Sequence, residues 1–578
     1  MSKVTKADLQ ELDGRIDQAI GSEMLLSLPR DVALMNLLRF FEDYCRLFAS
    51  RHANFNDEAS YLKLGQDGMQ FAVDWIHSYC DNPTRNNKFD LDSKAYVAAG
   101  HLHEAAIRYS LIWDLMAQLY RGTAIGDRVK DDRILLTYEN PDAEVFDTAS
   151  HFLASPDAPN FQTNLEEVLA RLNPAELLDS IRIQRHRAGR IKYSVPDEVF
   201  GEIAEVQRSV LSSRWELGED WSLGEYTMSE FRDFWITLLS ICWIHNSVCF
   251  FSGFKGGALE SVVKAMSCHG WQSEISRRSG LKVETAAVIL KDLIYDPALY
   301  ENGNKQPDVT SQPFFCLRGE FLAVSNQLVL LSNAERNLWN LISIIRPEIH
   351  SRLRNEKEAL WLKMLSPKLQ TYGLRSFGPI KFEYENKRSD LDLLLIDDAQ
   401  RFGLGLQLKW LNHPDRIRDV KYADSELLKG LDQAELAREW LKSQPLKLNQ
   451  LTGLSVNEMK KYEFQTAVLS KNTLGSTSTI RKGFPILTER LLEWTLGEPH
   501  HCDIKALWQV GDEQRYLPQR GKHYVDIDVD SEFGGIRLIG KKMGMRKLKD
   551  WDPLMDIDLS GLEREVQNAA PEVMNEGA

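Results

Sequence analysis

The chain has 578 residues, of which 43% are hydrophobic and 10% aromatic, and its formal net charge is -14. This composition excludes a mainly disordered chain, because such chains lack the apolar surface that offsets the entropy lost on ordering. The acidic balance excludes a chain that is basic throughout, but it is compatible with a local basic patch. A chain of this length is expected to form about two to four domains.

Cysteine usage and apolar runs bear on where the protein works. The seven cysteines are scattered and lack Cys-x-x-Cys spacing, so we expect reduced thiols in a cytoplasmic protein, without a disulfide framework or a zinc finger. The N-terminal sequence MSKVTKADLQELDGRIDQ is too polar for a signal peptide. The uncharged run at 234–251 is long enough to test as a membrane span, yet it contains Thr237, Ser240 and His245. A buried helix is favoured, and no membrane association is expected.

Hydrophobic periodicity predicts a multidomain α plus α/β fold class. Apolar residues at three- and four-residue spacing dominate the first part of the chain, for example at 103–120, which is typical of amphipathic helices. Farther along, short apolar runs alternate with helical patterns, which is typical of an α/β module. The predicted regions are an all-α region (1–195), a mainly α region with a short β-hairpin from the runs FLAV and LVLL (196–345), an α/β module with a central mixed sheet (346–497) and a C-terminal α/β or irregular extension (498–578).

One segment of the second region has the spacing of a helix-turn-helix. Residues 275–294 read as a short helix, a turn at Ser279 and Gly280, and a second helix. Helix pairs of this kind are also common in all-α domains, so ordinary packing is the competing interpretation. The pattern assigns no base-contacting residue.

The α/β module has a defined order of predicted elements. A helix comes first and is expected to end near Pro367, and three apolar strands, a second helix and a further strand follow. The middle strand is a continuous apolar run, which is typical of a strand buried on both faces. These elements are a helix at 355–369, strands at 380–386, 391–397 and 404–410, a helix at 427–441 and a strand at 463–470.

Three polar side chains mark two consecutive strands of this module. Asp392 is predicted within the strand at 391–397, whereas Gln407 and Lys409 belong to the next strand and share a face because they are two residues apart. A lysine in an apolar strand is costly unless its ammonium has a partner or a chemical role, and Asp392 is the candidate partner. A carboxylate, an amide oxygen and an ammonium at adjoining strands suit Mg²⁺ and a phosphodiester.

This arrangement resembles the PD-(D/E)xK nuclease superfamily, in which an Asp, a spacer and (Asp/Glu)-x-Lys occupy neighbouring strands. The second motif here is Gln407-Leu408-Lys409, so Gln replaces the acidic residue, as in the Mrr-like restriction-endonuclease branch, where Gln-x-Lys occurs in active enzymes. The sequence SDLDLLLID also resembles the superfamily's acidic-x-Asp before apolar residues. The resemblance covers residues 346–497 and implies a restriction-endonuclease-like fold for them.

The resemblance also implies site residues. Asp392 and Gln407 would hold Mg²⁺ (or Mn²⁺), and Lys409 would orient or activate the attacking water. A further ligand in the family is often a Glu on the first helix, where Glu358 shares a helical face with Trp361, Leu362 and Leu365 at i+3, i+4 and i+7. The competitors for this role are Glu356, Glu383 and Glu385.

Two residues of the second predicted helix complete the implied site. Lys429 and Gln433 are four residues apart and therefore face the same way. Basic and amide residues often bind substrate at this place in the family, so both are expected to face the substrate.

Local charge is compatible with a phosphate-bearing substrate. Between residues 340 and 388 the sequence has ten Lys or Arg and five Asp or Glu, although the whole chain is acidic. An excess of basic residues attracts phosphates. The competing interpretation is a solvated helix face with ordinary ion pairs.

The expected function is a Mg²⁺-dependent endonuclease that hydrolyses DNA phosphodiester bonds and leaves 5′-phosphate and 3′-hydroxyl ends. By analogy with large bodies fused to such nucleases, it would be the effector of a bacterial anti-phage or restriction-type defence system. DNA is the expected partner, and other defence-system proteins and a homo-oligomer are compatible with this interpretation. Two alternatives stay open: a non-catalytic nucleic-acid-binding or scaffold subunit that retains the fold, and a helical protein–protein adaptor.

Overall fold

The structure is a computed structural model, and it divides into two compact units. The first unit comprises residues 1–140, 157–356 and 526–542, and the second comprises 141–156, 357–525 and 543–578. The described residues are 2–51, 55–81, 92–121, 124–129, 133–138, 143, 145–146, 149–150, 153, 171–172, 179–186, 190–212, 214–251, 262–301, 308–411, 417–497 and 501–545. The protein is a mixed α/β protein with several small sheets.

Helices dominate the first unit. Its longer helices bury apolar stripes against one another, and α6 is apolar on nearly all sides because it lies in the core. The helices are α1 (Lys6–Gly21), α2 (Arg30–Arg51), α3 (Phe55–Tyr79), α4 (Ser93–Arg121), α5 (Asp197–Ser212), α6 (Met228–Phe251), α7 (Cys268–Ser279), α8 (Val283–Asp292), α9 (Ala298–Glu301), α10 (Asn326–Leu330), α11 (Ala334–Ile345) and α12 (Pro347–Thr371), of which α12 continues into the second unit.

The expectation of an all-α region at 1–195 is wrong in part, because that region also contributes strands. Their charged residues hide the strand pattern, and one of them, β3, pairs with a strand near the other end of the chain, β17. The strands of this region are β1 (Ser2–Lys3), β2 (Ala124–Val129), β3 (Arg133–Tyr138), β4 (Arg182–His186) and β5 (Arg190–Ser194), and two strands from the last part of the chain join them, β16 (Tyr524–Phe533) and β17 (Ile536–Met545). One sheet has the order β1-β2-β3-β17-β16, and β4 pairs with β5 in a separate hairpin.

The hairpin predicted in the second region forms, but with a different second strand. FLAV is the strand β8 (Phe321–Val324), and it pairs with β7 (Phe314–Cys316) and β6 (Lys264–Ser267) in the order β6-β8-β7. The run LVLL belongs instead to α10 and its end, because Ser325 caps that helix by accepting a hydrogen bond from the Leu328 N–H. The N-cap serine therefore explains why LVLL continues as a helix and not as a second strand.

The apolar run at 234–251 lies within α6. The segment Met228–Phe250 is long and apolar enough to cross a membrane, with a mean hydropathy of 1.2, but 83% of it is buried inside the protein. Its hydroxyl groups bond to its own backbone, since Thr237 donates to the Asp233 carbonyl and Ser240 donates to the Ile236 carbonyl. This is the burial expected of a core helix in a soluble protein.

The second unit is built on a five-stranded mixed sheet with the order β15-β14-β13-β12-β9. The strands β9 and β12 and the strands β12 and β13 pair antiparallel, whereas β13, β14 and β15 run parallel. The strands are β9 (Arg375–Phe377), β10 (Ile380–Tyr384), β11 (Lys387–Leu391), β12 (Leu393–Asp397), β13 (Phe402–Trp410), β14 (Glu463–Lys471) and β15 (Ile486–Thr488). The helices after α12 are α13 (Ile417–Ser443), α14 (Pro445–Thr452), α15 (Val456–Met459), α16 (Glu489–Leu496) and α17 (Ile504–Asp512).

The predicted elements of this unit occur in the predicted order, but the structure adds the strands β9 and β11 and the helices α14 and α15, and three details differ. The predicted strand at 380–386 is not in the central sheet, because β10 pairs with β11 in a separate two-stranded sheet and β9 takes the place beside β12. The predicted strand at 391–397 is interrupted at Asp392. The first helix continues through Pro367, which lies inside α12.

Burial explains why the central strands are so apolar. Every residue of β12 is buried, since helices cover both faces of a parallel or mixed sheet. On one face, Leu394 and Ile396 pack in a cluster with Ala437, Trp440 and Leu441 of α13. The packing of α13 on this face is what brings its side chains to the end of β13.

Candidate active site

Asp392 lies at the bend between β11 and β12, not within a continuous strand as expected. Its carboxylate oxygen Oδ2 accepts a hydrogen bond of 2.8 Å from the Leu408 N–H of β13. The backbone here is closely packed, because a side chain at Gly378 (φ +155°) would collide with the Asp392 carbonyl oxygen. Because of this bend, the Asp392 carboxylate reaches the backbone of β13.

The electrostatic surroundings of Asp392 oppose its ionisation. Burial raises the pKa of the Asp392 carboxyl above its usual range, and the negative charge of Asp390 acts in the same direction. The hydrogen bond from Leu408 and the positive charge of Lys409 lower the pKa, but they do not compensate. A cation at this carboxylate would remove the penalty, since a nearby positive charge favours the charged form.

Gln407 lies in the middle of β13 and is 1% exposed. Its amide nitrogen Nε2 donates a hydrogen bond of 2.5 Å to the Asp390 carbonyl, which orients the amide. Within the described part of the chain, the amide oxygen Oε1 accepts no hydrogen bond. An amide oxygen that accepts no hydrogen bond is available as a ligand for a hard cation.

Lys409 is on the same face of β13 as Gln407, where α13 packs. Its ammonium donates a hydrogen bond of 3.2 Å to the Oε1 of Gln433. Gly430 gives the side chain room, because a Cβ at that position would lie 3.0 Å from the Lys409 Cε. Among the described residues, Lys409 forms no ion pair with a carboxylate, Asp392 included. The ion pair between Lys409 and Asp392 that the sequence suggested is therefore not formed.

The structure does not join Glu358 to these three residues. The charges that act on the Asp392 carboxyl are those of Lys409 and Asp390, and not that of Glu358. The fully buried residues of α12 beside it are Lys357 and Trp361, whereas Glu358 is half-buried. Glu358 as a metal ligand stays a prediction.

The three competing glutamates lie elsewhere. Glu356 is exposed on α12, and Glu385 is exposed in the turn of the β10–β11 hairpin with a φ of +48°. Glu383 is exposed on β10 and pairs with Arg388 at 3.5 Å. Each of these carboxylates is solvated or paired, so none carries a stronger claim to a metal than Glu358.

The two helix residues expected to face the substrate have different environments. Gln433 contacts the site directly through its hydrogen bond to Lys409. The Lys429 side chain is 65% exposed and pairs with the Glu426 carboxylate at 2.7 Å, although that carboxylate is itself nearly buried. Gln433 therefore holds the lysine of the motif, which the spacing alone did not indicate.

Asp390 and Ser470 are two neighbours of the site that were not assigned a role from the sequence. Asp390 precedes Asp392 by two residues, and the acidic-x-Asp pattern was the signal for it. Ser470 is the register neighbour of Lys409 on the parallel strand β14, and its hydroxyl is buried without a hydrogen-bond partner among the described residues. Nothing in the sequence indicates which residue of β14 would lie beside Lys409.

Several of the basic residues at 340–388 have specific partners. Arg375 pairs with Asp398 and Lys368 pairs with Glu493, while the buried ammonium of Lys357 lies 4.7 Å from the centre of the Trp410 ring. These contacts favour the interpretation of ordinary ion pairs for much of the excess. The region is not a continuous phosphate-binding stripe.

The donor set fits a hard cation. Asp392 offers a second carboxylate oxygen that accepts no hydrogen bond in the described part of the chain, and Gln407 offers its amide oxygen. Mg²⁺ is commonly bound through one or two protein oxygens and retains several waters. The described residues contain no group of three or more His, Cys, Asp or Glu that could hold a metal ion. A cation here would therefore depend on few protein ligands.

Comparison with known proteins adds nothing to this geometry. No protein-family model, no curated protein and no solved structure matches the chain. The functional argument consequently depends on the residues and contacts described above.

Proposed function

We propose that the protein is a Mg²⁺-dependent nuclease that hydrolyses DNA phosphodiester bonds through a restriction-endonuclease-like module in the second unit. The observation that supports this most is the state of Lys409. Its ammonium is close enough to Asp392 to influence the carboxyl pKa, yet it is bonded to an amide and not to a carboxylate. A structural lysine would be neutralised by the nearest acid, whereas a lysine that acts on a substrate keeps its charge available.

The residues of the site divide the chemical work among them. Asp392 and Gln407 would hold Mg²⁺, which when bound supplies Lewis-acid stabilisation of the charge that develops on the phosphate oxygens. Lys409 donates hydrogen bonds to the attacking water or to the phosphate, and its positive charge favours the developing negative charge. Gln433 fixes the direction of the ammonium. Because Gln407 is neutral, the site has one ligand charge fewer than Asp or Glu would give, so we expect a millimolar requirement for Mg²⁺.

The experiment measures cleavage of supercoiled, linear and single-stranded DNA by the full chain in Mg²⁺, Mn²⁺ or EDTA. We compare the wild type with Asp392→Ala, Lys409→Ala and the matched control Lys442→Ala, whose lysine is half-exposed near the end of α13. Metal-dependent cleavage that is lost in the first two variants and kept in the control supports the proposal. Cleavage that both variants retain contradicts the site.

The absence of an acidic cluster in the described residues favours one alternative, a non-catalytic nucleic-acid-binding subunit that retains the fold. This alternative predicts that DNA binds equally well with and without a divalent cation and is never cut. A gel shift in EDTA and in Mg²⁺ distinguishes the two. The biological role as the cytoplasmic effector of an anti-phage or restriction-type system is part of the proposal by analogy only.

A further inference from the structure

The predicted helix-turn-helix is present in the first unit, and three strands accompany it. The helices α7 and α8 are joined by a short turn at 280–282, and both pack against α6. Along the chain the order is α6, β6, α7, α8, β7, β8, and the strands form an antiparallel sheet with the order β6-β8-β7. A helix-turn-helix followed by a hairpin that pairs with a strand before the first of its two helices is the topology of a winged helix-turn-helix.

The geometry between α7 and α8 is fixed by local hydrogen bonds. Gly280 ends α7 in the left-handed conformation (φ +78°), and its N–H donates to the Ser276 carbonyl. The Ser276 hydroxyl donates to the Leu281 carbonyl at 2.6 Å, which closes the turn from the other side. Trp271 of α7 is fully buried and its indole N–H donates to the Leu322 carbonyl of β8. The helix pair and the sheet therefore form one packed structure.

Helix α8 presents one face outward. Its inward face consists of the buried residues Ala286, Ile289 and Leu290. The residues at its N-terminal end, Lys282, Val283 and Glu284, are exposed, and so is Lys291 in its last turn. In helix-turn-helix proteins the second helix enters the major groove and its N-terminal residues contact the base edges.

We propose that α8 is a recognition helix with which the first unit binds duplex DNA in the major groove. The side chains on its N-terminal end match base edges, because Lys pairs with guanine acceptors, Glu accepts from the cytosine amino group, and small apolar groups contact the thymine methyl. The inference goes beyond the proposed nuclease function, because it concerns binding by a surface that contains none of the candidate active-site residues.

The character of the surface favours DNA over a protein partner. A protein-binding surface needs an apolar centre that is desolvated on contact, whereas the N-terminal end of α8 exposes a single valine between two charged residues. The arginines at the end of α7 do not add free positive charge, since Arg277 and Arg278 share two carboxylates, those of Asp197 and Glu274. Lys282 and Lys291 are therefore the side chains on which binding should depend.

The test uses the full chain with Asp392→Ala, so that the DNA is not cut, and follows the anisotropy of a labelled duplex of about 30 base pairs in EDTA. The variant Lys282→Glu/Lys291→Glu is compared with the control Lys3→Glu/Lys94→Glu, which changes the charge of exposed positions of the same unit equally. We expect at least about tenfold weaker binding for the α8 variant at about 50 mM salt and a shallower salt dependence of binding.

Two outcomes overturn the inference: no duplex binding by the parent at low salt, or an equal loss in both double variants. Circular dichroism spectra and melting temperatures that match the parent exclude misfolding of the α8 variant. Plasmid cleavage by the wild type in Mg²⁺ is measured separately. Cleavage without α8-dependent binding overturns only this inference, and α8-dependent binding without cleavage overturns only the proposed nuclease function.

Discussion

Both units remove charged side chains from water, and one cluster from each unit shows how differently such charges can be satisfied. In the first unit, Arg232 and Glu335 are both buried and form an ion pair. Glu335 also accepts hydrogen bonds from the backbone N–H groups of Glu216 and Leu217, at 2.9 and 3.2 Å. Both of its oxygens are therefore bonded, and Arg232 bonds in addition to the Leu217 carbonyl.

In the second unit, the positive charge of Lys409 lowers the pKa of the Asp392 carboxyl without an ion pair between them, and Gln407 keeps its amide oxygen unbonded within the described residues. The difference teaches how a structural charge cluster is told from a functional one. A buried charge that only stabilises the fold is expected to have every donor and acceptor satisfied. The unbonded oxygens of Asp392 and Gln407, beside the ammonium that Gln433 holds, are instead suited to bind a ligand.

The largest effect is expected on stability, when the carboxylate of the Arg232–Glu335 ion pair is removed. Glu335→Ala leaves Arg232 buried without its carboxylate, which should lower the free energy of unfolding by about 3–5 kcal/mol. Urea denaturation of the full chain, followed by circular dichroism, measures this effect. The control Glu205→Ala, on a carboxylate that is 75% exposed, should change stability by less than about 0.5 kcal/mol. Equal stability of the two variants would contradict the account of the pair.

The second prediction concerns an ion pair introduced at the candidate active site. Gln433→Glu would place a carboxylate beside the Lys409 ammonium, where the amide oxygen now lies at 3.2 Å. An ion pair there should reduce cleavage by about 10²-fold, because the ammonium is neutralised, and should leave the stability equal or slightly higher. Gln433→Ala separates charge from positioning, since it should cost less cleavage than Gln433→Glu. If Gln433→Glu cuts as fast as the wild type, Lys409 does not act on the substrate.

The third prediction concerns the Asp392 carboxyl and pH. Burial raises its pKa in the folded protein, so its contribution to stability is present in full at acid pH and is lost as the pH rises through the raised pKa. Asp392→Asn should therefore abolish cleavage while it keeps or raises stability at neutral pH, by up to about 1 kcal/mol. Melting temperatures measured from pH 4 to 8 test this, with Asp398→Asn as the control, whose pKa is lowered by Arg375. A strongly destabilised Asp392→Asn would show that Asp392 is structural.

Thermal stability in Mg²⁺ provides a second test of the role of Asp392. A cation that binds the folded site stabilises it by about 1.4 kcal/mol at ten times its dissociation constant. About 10 mM Mg²⁺ should therefore raise the melting temperature of the wild type more than that of Asp392→Asn. Equal shifts in both proteins would place the cation elsewhere.

The smallest effect is expected at Gly430. Alanine in the interior of α13 favours the helix by up to about 1 kcal/mol, but its Cβ would lie 3.0 Å from the Lys409 Cε and 3.3 Å from a Val468 methyl. The two contributions should nearly cancel in stability, to within about 1 kcal/mol, whereas displacement of the ammonium should slow cleavage by about two- to tenfold. Unfolding curves and cleavage rates are compared for Gly430→Ala and wild type. A fully active Gly430→Ala variant would show that cleavage does not depend on the exact position of the Lys409 ammonium.

Particular elements show how far the sequence could be interpreted. The strands β13 and β14 were predicted close to their observed bounds, because their apolar runs are local signals. The helix α13 was predicted at 427–441, but it begins at Ile417. The motif residues Asp392, Gln407 and Lys409 were also brought together as expected. The strand beside β12 was predicted wrongly, since the hairpin β10–β11 has the same alternation as a sheet strand but pairs only with itself.

What the sequence by itself determined is the local elements with a clear apolar pattern, such as β13 and β14, the face shared by Gln407 and Lys409, and the spacing of the helix-turn-helix. Only the tertiary structure decided that β17 pairs with β3, that Lys357 is buried on Trp410 and that Gln433 holds Lys409. The physical reason is that periodicity encodes which side of an element is apolar. The partner that covers that side is chosen by contacts between residues far apart in the chain, and no local pattern carries that choice.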